Sequence, residues 1–208
     1  ACKRALQREL ELPNRDIPLL AVIGRLTFQK GFDLLIDVLP ELMSLDMQTV
    51  VLGTGDHHLE QQFIAAKSRY PDRIGLCLGF NEGMAHRIEA GSDMLIMPSR
   101  YEPCGLSQLY SLRYGTVPIV RRTGGLADTV IPFRPSTVKS GCATGFQFID
   151  ASTDSLLSAL MLSLHVYKER QTWQSLIHAG MAVDLSWDRS AKLYVDLYRG
   201  LQGEKKEH

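Results

Sequence analysis

The chain has 208 residues, 45% of them hydrophobic and 22% charged, which is the composition of an ordinary globular protein with a sizeable core. Lys and Arg together number 23, as do Asp and Glu, so no overall field favours nucleic acid or an anionic membrane as partner. No apolar run approaches the ~20 residues of a membrane span, and the first residues do not resemble a signal peptide. The 4 cysteines are widely spaced without a CxxC or Cys/His pattern, which predicts reduced thiols and no metal centre.

Apolar runs and helix-like segments alternate along the chain from residue 17. Continuous apolar runs predict strands at 17–23, 48–52, 74–78, 94–97 and 117–120, with a sixth at 145–148. Helical spacing, capping residues and terminal glycines predict helices at 32–45, 58–70, 81–90, 103–114, 153–168, 171–182 and 187–201. This alternation predicts an α/β fold, a doubly wound, Rossmann-like parallel sheet with helices on both faces.

The same pattern predicts how the chain is organised. Residues 1–16 are a lead-in or linker, residues 17–183 form the Rossmann-like domain, and residues 184–201 hold a C-terminal helix. That helix is amphipathic, so it is expected to pack back on the domain or bridge to another one, or else to leave an exposed apolar patch. The charged tail, residues 202–208, is expected to be disordered.

Unusual residues follow directly after five of the predicted strands. In chain order these are Gly24, Arg25 and Lys30; Gly53; Gly79 and Phe80; Glu102, Cys104 and Gly105; and Thr123 and Gly124. The carboxyl ends of parallel strands meet at one edge, where doubly wound folds bind ligands. We therefore expect one cleft lined by Arg25, Lys30, Glu102, Ser107 and Thr123.

Two of these loops carry the chemistry of an anion site. Arg25 and Lys30 lie before a helix, whose positive dipole end disfavours cations unless a phosphate or diphosphate is nearby. Pro103 fits a first helical position, which puts Glu102 near the cap and leaves the amides of Gly105, Leu106 and Ser107 open to a phosphate or hydroxyl. The simpler alternative is that Glu102 only complements the helix dipole.

Other polar residues predict less. Gly53-Thr54-Gly55-Asp56 lacks the third glycine of a dinucleotide fingerprint, and Asp56 is expected to cap the next helix. His86 lies within a helix and is expected to be structural. No nucleophile elbow or GxxxxGK[ST] loop occurs, so the residues by themselves imply binding of a phosphorylated, nucleotide-linked ligand.

Several stretches together resemble bacterial glycogen synthases and plant starch synthases. They are IGRLTFQKGFDLL, VLGTGD, AGSDMLIMPSRYEPCGLSQLYSLRYGTVPIVRRTGGLADTV and GFQF. The resemblance runs from about Leu19 to Leu201 and covers the C-terminal, nucleotide-sugar-binding half of that family's two-domain GT-B fold. The family's N-terminal domain is not in this sequence, so the chain is expected to be part of a larger enzyme.

The resemblance implies retaining transfer of glucose from ADP-glucose to the non-reducing end of an α-1,4-glucan, with no metal or other cofactor. Arg25 and Lys30 match the family's cationic pair on the donor diphosphate, and Glu102 matches the carboxylate that contacts the donor glucose. These three are the implied catalytic residues. The donor-binding positions that the resemblance implies are Gly79, Phe80, Cys104, Gly105, Leu106 and Ser107, and the loops after the strands add Gly24, Gly53, Thr123 and Gly124 as candidates.

The implied partners are ADP-glucose or ADP, a glycogen or starch acceptor and the family's N-terminal domain, but not nucleic acid or a membrane. The implied compartment is bacterial cytoplasm or plastid stroma. Two alternatives stay open. One is another GT-B glycosyltransferase that uses UDP-glucose, and the other is a non-catalytic module that binds nucleotide or glucan.

Overall fold

Six parallel strands form the centre of the computed structural model, which describes residues 1–203. They are β1 (Leu19–Ile23), β2 (Gln48–Gly53), β3 (Ile74–Leu78), β4 (Met94–Met97), β5 (Val117–Arg121) and β6 (Phe146–Phe148). Their order across the sheet is β3-β2-β1-β4-β5-β6, which confirms the predicted doubly wound sheet. The tail predicted to be disordered lies outside the described residues from residue 204 onward.

Helices connect the strands and cover both faces of the sheet. They are α1 (Cys2–Glu9), α2 (Phe32–Ser44), α3 (His57–Arg69), α4 (Glu82–Gly91), α5 (Ser107–Tyr114), α6 (Gly124–Thr129), α7 (Pro135–Lys139), α8 (Thr153–Tyr167), α9 (Arg170–Met181) and α10 (Trp187–Gly203). The predicted caps of α3 and α4 are confirmed, since the Asp56 and Asn81 side chains accept hydrogen bonds from first-turn amides. Gly115, at φ 82°, ends α5 as predicted.

Alternation along the central strands divides the core into two layers. Leu20 and Val22 of β1 point into one apolar cluster, which includes side chains of α2 and α8. Leu19 and Ala21 point into the other, with side chains of α1 and α4. Because successive side chains of a strand face opposite sides, a strand covered on both sides must be apolar throughout, and β1 is.

Residues 1–16, expected as a lead-in, begin with helix α1, which the sequence analysis did not predict. Leu6 of α1 is 2% exposed, and a Cβ on Gly91 of α4 would lie 2.8 Å from its Cδ2 atom. Lys3 Nζ donates to Asp93 Oδ2 at 2.6 Å, and the Leu19 amide donates to the same oxygen at 2.8 Å. The segment is therefore packed into the second core layer rather than extended as a linker.

Helix α10 leaves its apolar side chains exposed, as the amphipathic pattern allowed. Their exposure ranges from 43% at Val195 to 84% at Trp187. The helix does not pack these side chains back on the sheet, and its bridging to another domain stays a prediction. Within residues 1–203, no helix has both the length and the apolarity that crossing a membrane requires.

Candidate active site

Two adjoining cavities open at the carboxyl edge of the sheet. The first, about 350 Å³, is lined by residues that include Gly24, Arg25, Lys30, Glu102, Gly105, Leu106 and Ser107. The second, about 390 Å³, is lined by residues that include Gly24, Arg25, Gly53, Gly79, Phe80, His86, Ser107 and Tyr110. Gly24, Arg25 and Ser107 border both, so the two cavities form one elongated cleft.

Glu102 and Lys30 form an ion pair in the first cavity. Glu102 is 6% exposed, Lys30 Nζ donates to its Oε2 atom, and Ser99 Oγ donates to the same oxygen at 3.1 Å. Lys30 ends a 3₁₀ turn, Phe28–Lys30, and Gly31 at φ 71° leads the chain into α2. β1 lies beside β4 in the sheet, so two side chains 72 positions apart in the sequence meet.

Arg25 lies where the two cavities join. It is separated from the end of β1 by Gly24 alone, and its side chain is exposed. A lysine ammonium carries three N–H donors, so Lys30 keeps donors for a second anion while it holds Glu102. The cleft therefore presents two cations and one buried carboxylate within the same cavity.

The loop after β4 differs from the prediction. Helix α5 begins at Ser107 and not at Pro103, so Glu102 lies in a loop and does not cap the helix. Gly105 adopts φ 74°, a left-handed conformation through which a right-handed helix cannot run. The buried Gln108 side chain donates from Nε2 to the carbonyl oxygens of Cys104 and Gly105, each at 3.0 Å. The open first-turn amides are therefore those of Ser107 and Gln108.

Thr123 was expected to line the cleft, but Thr123 and Gly124 are not among the residues that line either cavity, and a ligand contact at this turn stays a prediction. A Cβ on Gly124 would lie 2.1 Å from the Glu102 carbonyl oxygen, and one on Gly125 would lie 2.2 Å from that of Cys104. The small residues of this turn thus admit the chain's own loop 102–104. Cys104 is exposed and is also not among the residues that line either cavity.

The second cavity is bordered by aromatic side chains. Phe80 is 91% exposed and follows Gly79, whose φ is 121°. The His86 and Tyr110 rings meet edge to face with centroids 5.8 Å apart. Gly53 is needed for a different reason, because a Cβ there would lie 2.1 Å from the Gly24 carbonyl oxygen.

His86 was expected to be structural, and the structure places it at the cavity wall with Glu89. His86 Nδ1 lies 3.1 Å from Glu89 Oε2. Burial raises the pKa of the Glu89 carboxyl, while the hydrogen bond and charge of His86 act in the opposite direction. No local pattern marks this pair as a site, because it borders the cavity only once α4 lies beside α5.

Metal-binding chemistry has no candidate in the described part of the chain. Within residues 1–203, no group of three or more His, Cys, Asp or Glu side chains is placed so that it could hold a metal ion. The described ionic groups of the cleft are instead Arg25, Lys30, Glu102, Glu82 and Glu89, with His86 as a further titratable group.

Known proteins match both the sequence and the fold. The chain is 52% identical over 202 residues to a glycogen synthase of Anaeromyxobacter sp. (strain Fw109-5) and 50% identical over 202 residues to one of Thioalkalivibrio sulfidiphilus. These matches cover 97% and 96% of this chain but only 42% of each relative, so the chain spans less than half of their length.

A solved structure gives the same result for the fold. The catalytic domain of starch synthase IV from Arabidopsis thaliana, bound to ADP and acarbose, superposes with a TM-score of 0.87 at 35% identity. The match covers 95% of this chain and 41% of that one, which confirms the predicted C-terminal half of a GT-B fold. The family model described as glycosyl transferases group 1 matches residues 3–175, and the chain therefore belongs to that family.

Proposed function

We propose that this chain is the donor-binding half of a glucan synthase. The intact enzyme transfers glucose from ADP-glucose to the non-reducing end of an α-1,4-glucan with retention of configuration. The observation that carries the proposal is the elongated cleft, which has the Lys30–Glu102 pair with its buried carboxylate in one cavity, exposed Phe80 in the other and Arg25 between them.

The order of groups along the cleft suits a nucleoside diphosphate sugar. An exposed ring such as Phe80, with Tyr110 nearby, offers a face on which a base can stack. The diphosphate then lies beside Arg25 and the first amides of α5, where positive charge and helix dipole both favour an anion. The sugar falls in the first cavity, within reach of the Glu102 carboxylate.

Glucosyl transfer builds negative charge on the departing diphosphate and positive charge on the sugar. Arg25 and Lys30 stabilise the first, and groups already in place when that charge develops contribute most to the rate. Glu102 orients the sugar and faces its developing positive charge. Its hydrogen bonds from Lys30 and Ser99 keep the carboxylate in one orientation within the cavity wall.

The known relatives support the proposed compartment, acceptor and nucleotide. The glycogen synthase relatives are bacterial, which supports a bacterial cytoplasm as the compartment and glycogen as the acceptor. The starch synthase structure holds ADP and acarbose, which supports ADP as the nucleotide and a glucan as the acceptor. This chain covers only 42% of each of these glycogen synthase relatives. We propose that the rest of their length forms a second domain, covalently joined to this one, that supplies the acceptor side of the cleft.

Calorimetry on this chain alone tests the nucleotide. We expect ADP to bind with measurable heat and UDP to bind more weakly, and Arg25→Ala to reduce ADP affinity by about tenfold, as for loss of one charge-assisted contact. Arg199→Ala on the exposed helix α10 is the matched control and should bind ADP like the wild type. A clear preference for UDP would overturn the ADP-glucose assignment.

A transfer assay tests the reaction. The chain is joined to the remaining part of a glycogen synthase relative, and labelled glucose is followed from ADP-glucose into glycogen. We expect α-1,4-linked product, identified by NMR of the anomeric proton. An enzyme that stays inert while ADP still binds would favour the non-catalytic binding module.

A further inference from the structure

The loop that carries Glu102 is fastened to the loop that carries Lys30 by Arg100. Its Nη1 and Nη2 atoms donate to the two carboxylate oxygens of Asp33 at 2.6 and 2.7 Å. Nη1 also donates to the Phe28 carbonyl oxygen at 2.8 Å, and the guanidinium carbon lies 3.6 Å from the centroid of the Phe28 ring. A planar guanidinium can make all these contacts at once, whereas a lysine ammonium cannot form the two-pronged pair.

Backbone contacts join the same two loops. The Arg100 amide donates to the Gln29 carbonyl oxygen at 2.8 Å, and Gln29 Nε2 donates to the Tyr101 carbonyl oxygen at 3.2 Å. A Cβ on Gly31 would lie 2.1 Å from the Pro98 carbonyl oxygen, so the two backbones touch there. Residues 28–33 and 98–101 are therefore joined by both side-chain and backbone contacts.

Arg121 holds the loop after β4 from the other side. Its Nε donates to the Ser99 carbonyl oxygen at 2.6 Å, Nη2 donates to that of Arg100, and Nη1 donates to that of Ile149 at 3.2 Å. Ser99 is the residue whose hydroxyl donates to Glu102. The segment between β4 and Glu102 is therefore held between β5 and the start of α2.

We propose that Arg100 and Asp33 are positioning residues of the active site. Neither lines the first cavity, so neither touches the donor sugar in this arrangement. They set the separation of the Lys30 ammonium and the Glu102 carboxylate by holding the two loops in register. The proposal rests on the proposed function, because it assigns these residues to the same transfer reaction. Misplacing reacting groups by about 1 Å costs on the order of 10²-fold in rate.

Kinetics of the joined enzyme test the proposal. Arg100→Lys keeps the charge but cannot form the two-pronged pair with Asp33. We expect this variant to lower kcat by about 10- to 100-fold and to change KM for ADP-glucose by less than about threefold. Asp33→Asn should do the same. Arg87→Lys is the matched control, because Arg87 makes a two-pronged pair with Glu9 at 2.8–3.1 Å outside the cleft, and it should keep the wild-type kcat.

A double variant separates positioning from general stability. In a Lys30→Ala background, Arg100→Lys should lower kcat no further, because its effect passes through the Lys30–Glu102 geometry. If the fold-reductions in kcat of the two single variants multiply fully in the double variant, the proposal is overturned. So would an Arg100→Lys variant that lowers the melting temperature and keeps the wild-type kcat.

Amide hydrogen exchange on this chain alone keeps the two proposals distinguishable. The Arg100 amide, bonded to Gln29, should exchange at least about tenfold faster in Arg100→Lys and Asp33→Asn than in the wild type or Arg87→Lys. Unchanged exchange in both variants would overturn the positioning role even if the joined enzyme is active. A wild-type joined enzyme that transfers no glucose would overturn the proposed function even if exchange rises as expected.

Discussion

The two edges of the sheet use their charges differently. The amino edge holds the larger cavity, about 950 Å³, whose lining includes Asp16, Asp46, Asp93, Lys168 and Arg170. Two of its carboxylates form ion pairs within the chain, since Asp93 binds Lys3 and Asp46 lies 2.8 Å from Arg15. At the carboxyl edge, Arg25 has no ion-pair partner among residues 1–203 and faces the cleft. Strand direction, rather than cavity volume, is therefore the basis on which we assign the proposed site to the carboxyl edge.

The largest expected effect is a loss of kcat on removing a cation from the carboxyl edge but not from the amino edge. Lys30→Ala removes a cation beside the departing diphosphate, and we expect kcat of the joined enzyme to fall on the order of 10²- to 10³-fold. Lys168→Ala removes a cation from the larger cavity at the amino edge and should leave kcat unchanged. Steady-state transfer assays measure both. Equal losses in the two variants would contradict the assignment of chemistry to the carboxyl edge.

Replacing a glycine at each of the two edges should reduce the stability of the chain by different amounts. Gly124→Ala places a Cβ against the Glu102 carbonyl oxygen at φ 43°, and we expect a loss of about 2–4 kcal/mol in the free energy of unfolding. Gly115→Ala, at φ 82°, meets Ile177 Cγ2 and Met181 Sδ at 3.1 and 3.2 Å. These side-chain atoms can shift, so its loss should be only the conformational cost of about 1–2 kcal/mol.

Urea unfolding measures the stability of both glycine variants. Equal slopes of the free energy of unfolding against urea concentration would show that only stability changed. If Gly124→Ala costs no more than Gly115→Ala, the contact between the turn after β5 and loop 102–104 is not as close as described. A drop in ADP affinity confined to Gly124→Ala would show that the same contact also shapes the cleft.

The smallest effect is a pH dependence at Glu89. Burial raises the pKa of this carboxyl in the folded chain, so between its unfolded and folded pKa values the unfolded chain binds fewer protons and stability falls as pH rises. Glu89→Gln removes that titration. We expect the variant to be more stable than the wild type at high pH and to lose this advantage as pH falls towards about 4, the usual pKa of an unfolded Glu.

Asp93 provides the contrast at the amino edge. Burial also raises its pKa, but Lys3 is paired with it and opposes the shift. Asp93→Asn should therefore destabilise the chain at neutral pH, because it leaves the Lys3 ammonium without its partner. Thermal unfolding across the pH range measures both variants. A Glu89→Gln chain that is less stable than the wild type at high pH would contradict the sign derived for that group.

Much of the local structure could be predicted from the sequence. The six strands, the caps at Asp56 and Asn81 and the end of α5 at Gly115 follow from apolar runs and from residues with local backbone preferences. Helix α1 was not predicted although its residues are strongly amphipathic, because it is only eight residues long and has few apolar side chains, and its burial depends on contact with α4. The start of α5 was misplaced because Pro103 fits a helix start by itself, while Gly105 and Gln108 decide it.

The sequence by itself determined that special residues follow the strands, and a parallel sheet collects them at one edge. Only the tertiary structure decided which of them meet. The order β1 beside β4 pairs Lys30 with Glu102, the turn after β5 packs against loop 102–104, and Arg100 pairs with Asp33. Hydrophobic periodicity and backbone preferences act over a few residues. Strand order and steric contact act between segments far apart in the chain, and no local pattern records them.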